Sequence, residues 1–375
     1  MSIFNSRPAL RWLVPATAAV AIVGGGAAVG TFSASAEPSL PPRTAAQLLV
    51  DLQTARLDGL SGTVVQRADL GLPALPNLAA QGSSDFTSLV SGTHTLRVWY
   101  AGPDKARIAL LGTLGESDVI RNGSDVWFWD SRANKASHST LPESGGDVEA
   151  RPGSLPHGLP ASPQEAAQQA LAAIDPTTEV SVGRSAKVAG RDAYELVLRP
   201  RDTASLVGQV RIGVDAAEHV PLRFEVLAKD AQEAAFEVAF TQVNFSRPDD
   251  EQFAFNPPAG TKVTEESAKP EKPSAGRPEP RDVRVLGKGW TSVLSAKLPA
   301  DSIPGAGEAT AGGNPDAEAP QLGALLGALP KVSGDWGSGR LLTGKLFSAL
   351  LTDDGRVLAG AVSPERLYQA AKDGK

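Results

Sequence analysis

Residues 94–130 read HTLRVWYAGPDKARIALLGTLGESDVIRNGSDVWFWD, and this stretch decides the fold of the chain. It divides into strand-length pieces separated by Gly, Asp and Asn, which are turn-forming residues. With the piece that follows, the predicted strands are His94–Ala101, Lys105–Leu111, Ser117–Arg121, Ser124–Asp130 and Lys135–Leu141. Short strands joined by tight turns predict an antiparallel meander.

Further strands are predicted on both sides of this meander. They are Leu60–Ala68, Glu179–Val188, Asp192–Arg199, Leu206–Val214, Leu222–Ala228 and Ala234–Phe245. Apolar residues occur at every second position, as in Val210, Ile212 and Val214. Because successive strand side chains point to opposite faces, this pattern predicts a sheet with one apolar face.

Two short helices carry start signals. Thr44 can cap a helix whose apolar residues, Ala45, Leu48, Leu49 and Leu52, fall on one side. Ser162-Pro163-Gln164-Glu165 supplies an N-cap, a first-turn proline and a capping-box glutamate for a helix to about residue 174. Between strands, residues 69–92 contain several leucines, which indicates that this excursion folds over another surface.

The composition divides the chain into segments. Residues 265–281 are rich in Pro, Lys, Glu, Ser and Gly and contain almost no apolar residue, which is typical of a linker. We therefore predict a large domain at 37–264 and a small C-terminal domain at 282–375. The small domain is predicted to contain a strand near 289–298, a Gly/Ala/Pro tract at 299–320, a short helix at 322–329, a hairpin with arms 340–350 and 356–362, and a final helix.

The N-terminus predicts export. Arg7 and Arg11 precede an apolar run, residues 12–32, which is followed by Ala34-Ser35-Ala36. This order of charged, apolar and small residues is that of a secretory signal peptide, and the run is also long enough for an uncleaved membrane anchor. Residues 1–36 are thus a signal peptide or an anchor, and the rest of the chain is expected to be extracytoplasmic.

Composition excludes several classes of function. The net charge of −6 and the lack of a basic stripe argue against nucleic acid as a partner. The chain has 0 Cys, which excludes disulfides, thiol catalysis and a lipidated N-terminal cysteine.

The four histidines lack metal-ligand spacing, and residues 339–345 imitate a P-loop but have Leu346 where Ser or Thr must follow. No common serine-nucleophile signature occurs, although remote residues could still assemble a triad.

The order of elements resembles the LolA/RseB-like lipoprotein carrier superfamily, whose members include LolA-like carriers and MucB/RseB-like sigma-E regulators. The resemblance is carried by the capped helix, by Leu60–Gln66, by Asn122–Trp129, by Asp215–Arg223 and by Phe255–Gly260, and it covers residues 43–262. The linker and C-terminal module are similar to the plan of RseB, but the excursion after Gln66 and the segments around Trp290 and Trp336 depart from it.

This resemblance implies an α+β fold: a LolA-like open antiparallel half-barrel covered by short helices, plus a smaller C-terminal α+β module. It also implies an apolar cavity that takes acyl chains. The predicted cavity residues are Leu96, Val98, Ile108, Leu110, Trp127, Trp129, Leu196, Leu198, Phe224 and Phe236. Which face of each strand turns inward stays open, because a one-residue slip reverses it.

Residues 126–129 place apolar side chains on both faces of their strand, so other groups must shield both faces from water. Val126 and Phe128 point one way, and Trp127 and Trp129 point the other. The strand is then either an ordinary strand packed on both sides or the lining of a ligand site, because pockets and cores use the same residue types.

We predict a non-catalytic carrier or chaperone that binds lipid acyl chains or lipoproteins, with no cofactor and no metal. The alternative is an RseB-like envelope-stress regulator that binds a membrane anti-sigma factor or another membrane partner. An enzyme of unknown type is the third hypothesis.

Residues 1–40, fused to a reporter that is active only outside the cytoplasmic membrane, should give an active reporter, because they carry the order of a signal peptide. The measurement is reporter activity in intact cells against a fusion that lacks residues 1–36. Activity confined to the cytoplasm would contradict export.

Overall fold

The structure is a computed structural model that describes residues 23–24, 40–72, 83–141, 162–172, 174–266, 281–298, 327 and 329–374. Apart from Val23 and Gly24, the predicted signal peptide lies outside these residues. So do most of the linker, the tract at 299–320 and nearly all of the predicted helix at 322–329. Among the described residues, no helix combines the length and the apolar content needed to cross a bilayer.

One large open sheet forms the body of the protein. Its strands are β1 (Val23–Gly24), β2 (Leu60–Ala68), β3 (Val90–Tyr100), β4 (Lys105–Leu111), β5 (Glu116–Asn122), β6 (Asp125–Asp130), β7 (Lys135–Thr140), β8 (Thr178–Val182), β9 (Ala186–Val188), β10 (Arg191–Pro200), β11 (Val207–Asp215), β12 (Pro221–Ala228), β13 (Ala234–Asn244) and β14 (Lys262–Glu266). Their spatial order is β14-β7-β6-β5-β4-β3-β2-β13-β12-β11-β10-β8, and β1 and β9 pair with β3 and β10. The predicted meander and the predicted α+β class are confirmed.

Cross-strand rows define the two faces of this sheet. Phe240, Val64, Leu96 and Leu110 lie side by side on β13, β2, β3 and β4. All four are nearly or fully buried. We call the face that carries this row the inner face and the opposite one the outer face. Each such side chain contributes about 1.5–3 kcal/mol by leaving water, so the inner face holds the core.

The two predicted helices cover parts of this core. In α1 (Ala45–Thr54), the Thr44 hydroxyl accepts from the Gln47 N–H at 3.2 Å, and the Gln47 side chain accepts from the Thr44 N–H at 2.8 Å. Leu48 is fully buried, as its position in the helix predicts. In α2 (Pro163–Ala172), the Ser162 hydroxyl accepts from the Glu165 N–H at 3.2 Å, and the helix packs against β12 and β13.

Two predicted strands are interrupted. Residues 179–188 form β8 and β9 separately: the Gly183 N–H still donates to the Glu195 carbonyl at 2.8 Å, and the chain leaves the ladder of β10 at the next two residues. The predicted arm 340–350 breaks at residues 344–347, where the Lys345 N–H donates to the Leu70 carbonyl at 2.6 Å. At Lys345 a tertiary contact overrides the local pattern.

The edge strand β14 was not predicted. Its side chains are exposed and mostly polar, so it has no apolar alternation to detect. It pairs in parallel with β7. His138 of β7 lies between Glu265, at 2.8 Å, and Asp125, at 3.0 Å, and the hydrogen bond with Glu265 raises the pKa of His138.

The C-terminal residues form a second antiparallel sheet. Its strands are β15 (Arg281–Leu286), β16 (Val293–Lys297), β17 (Lys331–Gly334), β18 (Gly337–Thr343), β19 (Ser348–Thr352) and β20 (Arg356–Gly360), in the order β15-β16-β20-β19-β18-β17. The final helix, α3 (Pro364–Asp373), packs on β19 and β20. Val293, Leu350, Leu358 and Leu367 are fully buried in a core of its own.

The two sheets share a packed interface. Trp290, Leu346, Phe347 and Ala361 of the C-terminal part belong to the core of the large sheet. The Trp290 indole N–H donates to the Thr178 hydroxyl at 2.9 Å. We therefore propose two domains that are joined by a linker and packed against each other.

Limited digestion with subtilisin should cut within the predicted linker, residues 265–281, because its composition is typical of a linker. The two fragments should nevertheless elute together on size exclusion and separate only in denaturant. Trp290→Ala should make them separate more readily. Cutting inside the meander, or fragments that part without denaturant, would contradict the proposed domains.

Candidate functional site

The structure brings eight of the ten predicted cavity residues to the inner face. All eight belong to one continuous core cluster and are at most 6% exposed: Leu96, Val98, Ile108, Leu110, Leu196, Leu198, Phe224 and Phe236. Six of them pack in this core and do not line the cleft described next. Val98 and Ile108 reach an open cleft.

This cleft, of about 380 Å³, lies between the sheet and the start of α2. Its apolar floor consists of Leu60, Val98, Ala106 and Ile108, all of them on β2, β3 and β4. Leu60 and Ala106 were not predicted. They follow the same two-residue alternation as Val98 and Ile108, and this signal could have identified them.

Polar groups lie on the rim of the cleft. Ser162, Gln164, Glu165 and Gln168 contribute from the first turns of α2, and Tyr100 contributes from the end of β3. Burial raises the pKa of the Tyr100 hydroxyl, and the Asp104 carboxylate adds to this effect. The hydroxyl therefore stays neutral at neutral pH and can donate a hydrogen bond. The cleft can accept an apolar chain whose polar end remains at the rim.

Within the described residues, no group of three or more His, Asp and Glu side chains could hold a metal ion. The residues of the P-loop imitation lie on β18 and the turn after it. They do not form the strand, loop and helix that would cradle a phosphate.

The described ends of the leucine-rich excursion fold onto the inner face. Leu70 and Leu89 are buried, and the ring of Phe86 lies 5.7 Å from that of Phe128. His94 anchors this segment: its Nε2 lies 3.0 Å from the Ser88 carbonyl oxygen and 3.1 Å from the Ser88 hydroxyl. Burial lowers the pKa of His94, so the ring is neutral. Leu72 is partly buried against the same core, and Leu75 and Leu78 lie outside the described residues.

Trp127 and Trp129, predicted to line the cavity, lie instead on the outer face. The register pairs Phe128 with Val119 on the inner face, and the two-residue period then turns both tryptophans outward. Phe255 covers them, with ring centroids 5.2 Å from Trp127 and 5.7 Å from Trp129. This strand is therefore packed on both sides by the chain itself.

A buried ion pair lies beside these tryptophans. Asp118 is fully buried, and Arg107 Nε donates to its Oδ1 at 2.7 Å. Burial raises the pKa of Asp118, and the Arg107 guanidinium opposes that rise. The pair faces the outer side of β4 and β5, and Arg107, like Trp99, also borders the cleft.

Comparison with protein-family models and with curated protein sequences gave no match. Among solved structures, the chain is similar to that of the Pseudomonas aeruginosa MucA/MucB complex, at 16% identity and a TM-score of 0.41, over 87% of this chain and 96% of that chain. A LolA superfamily protein from Nitrosomonas europaea is 13% identical, with a TM-score of 0.22, over 57% of this chain and 99% of that one. An uncharacterized conserved protein from Thermus thermophilus is 12% identical, with a TM-score of 0.34, over 59% of this chain and 99% of that one.

The first two of these structures carry the same names, MucB and LolA, as the families that the sequence resembles.

Phe255→Ala should shift the tryptophan fluorescence to longer wavelength, because it uncovers Trp127 and Trp129 on the outer face. Binding of an acyl chain to the inner cleft should be unchanged. A brominated fatty acid, which quenches nearby tryptophans, provides the cross-check. If it quenches the emission of the wild type but not that of the double variant Trp127→Phe/Trp129→Phe, these two rings lie in the cavity. That result would contradict their position on the outer face.

Proposed function

We propose that the protein is an exported, non-catalytic carrier or chaperone that binds the acyl chains of lipids or lipoproteins. The observation that supports this most directly is the cleft over Leu60, Val98, Ala106 and Ile108. It combines an apolar floor with a polar rim, which is what an amphipathic ligand needs.

The size of the cleft fits partial burial of a chain. Its volume of about 380 Å³ falls at the lower end of the usual range for ligand sites. Burial of about five methylenes contributes ~4 kcal/mol before ordering costs, which is compatible with reversible capture.

Export and the sequence resemblance support the same ligand class. The charged and apolar N-terminus would deliver the protein to the compartment where lipoproteins are handled. A carrier and an RseB-like regulator would both begin with this capture of an acyl chain.

The cleft can be blocked without placing a charge in it. Ala106→Phe adds a ring to the floor and should lower the affinity for a fluorescent fatty-acyl probe at least about tenfold, with a modest loss of stability from overpacking. Ala46→Phe is the matched control, because Ala46 is exposed on α1. Displacement of the probe and thermal melting are measured on the same samples.

Native mass spectrometry of gently extracted protein should also reveal co-purified acyl species. If the folded wild type neither binds the probe nor retains lipid, the inner face is only a core and the proposal is wrong. Equal binding by Ala106→Phe would place the site elsewhere.

A further inference from the structure

A second concave site lies on the outer face, over the central strands of the sheet. Two cross-strand rows build it: Asn244, Ser61 and Trp99 in one, and Gln242, Thr63 and Arg97 in the other. With the backbone of β2 and β13 these residues enclose about 230 Å³. The sheet lies between this trough and the apolar floor of the inner cleft, and Trp99 borders both.

Side-chain length explains the concave shape. Ser61 and Thr63 on β2 are short, and they lie between long side chains on β13 and β3. Adjacent strands are about 4.8 Å apart, so the walls of the trough stand roughly 10 Å from each other. This width suits one small polar group.

An irregularity in β13 sets the register of one wall. The pairing with β2 shifts between Phe240 and Gln242, which leaves Thr241 as an extra residue. The Thr241 hydroxyl donates to the Thr63 carbonyl at 3.2 Å. The shift turns Gln242 and Asn244 toward the outer face opposite Thr63 and Ser61.

The chemistry of the trough is that of hydrogen-bond donors. Ser61 and Thr63 present hydroxyl groups, and Gln242 presents an amide. The Asn244 side-chain carbonyl already accepts from the Ser246 N–H at 2.9 Å, so its NH₂ group remains available. No Asp or Glu lines the trough.

Arg97 supplies the charge. Its guanidinium lies 5.7 Å from the centre of the Trp99 ring, and that of Arg107 lies 5.4 Å from it. Arg107 is bound by Asp118, whereas Arg97 has no ion pair in the described part of the chain. Trp99 therefore holds an exposed cation beside four neutral donor side chains.

We propose that this trough binds a phosphate-type oxyanion, held by the Arg97 guanidinium and by the hydroxyl and amide donors around it. Arginine matches the geometry of phosphate oxygens with paired N–H groups, and charge-assisted hydrogen bonds are stronger than neutral ones. Either a phospholipid headgroup or free phosphate offers this chemistry. The inference stands apart from acyl binding, because it uses the opposite face.

The test follows the indole N–H signal of Trp99 by NMR in the ¹⁵N-labelled full chain, assigned with Trp99→Phe. Inorganic phosphate and glycerophosphoglycerol are titrated separately at constant ionic strength. Each should shift this signal saturably, and Arg97→Gln should weaken binding at least about tenfold. Arg97→Lys should retain part of the affinity. Arg132→Gln, which removes an exposed arginine from the turn between β6 and β7, should bind like the wild type.

The outcomes distinguish a lipid headgroup from free phosphate, and they distinguish the trough from the inner cleft. Tighter binding of the glycerophosphodiester indicates a lipid headgroup, and tighter binding of inorganic phosphate indicates the free ion. Ala106→Phe, which blocks the inner cleft, should keep the phosphate response. The proposal is overturned if neither compound gives a saturable shift, or if Arg97→Gln and Arg132→Gln respond alike.

Discussion

The structure depends on the pairing of β2 with strands on both of its sides. Val64 lies beside Leu96 of β3 and beside Phe240 of β13, which is far away in the sequence. This double pairing joins the meander to the later strands and sets one register for the whole sheet. Because a slip of one residue would exchange the faces, the inner core and the outer trough both follow from it.

The local patterns predicted most of the large sheet, and physical reasons separate the successes from the failures. Leu60–Ala68 and Lys105–Leu111 have the predicted bounds because alternation and turn residues agree there. The edge strand β14 has no apolar face, so its pairing with β7 leaves no trace in the sequence. The break at Lys345 comes with a hydrogen bond to the distant Leu70, which no local pattern contains.

The sequence pattern also predicted one part of the candidate site and not another. Alternation grouped eight of the predicted residues correctly on one face, but it could not tell a packed core from an opening. Of these eight, Val98 and Ile108 border the cleft, which lies where the first turns of α2 face β2, β3 and β4. The outward position of Trp127 and Trp129 depends on the register with β5, and their cover comes from Phe255, more than a hundred residues later.

The contact between the turn at Lys345 and the segment at Leu70 has a consequence for the order of events during synthesis. Leu346 and Phe347 complete a core to which β2, ending at Ala68, also contributes. A ribosome adds roughly 5–20 residues per second, so about 14–55 seconds separate the appearance of these two parts. Until then the early strands lack the packing that Leu346 and Phe347 supply. The core around Leu70 is therefore completed only after all the strands of the large sheet have been made.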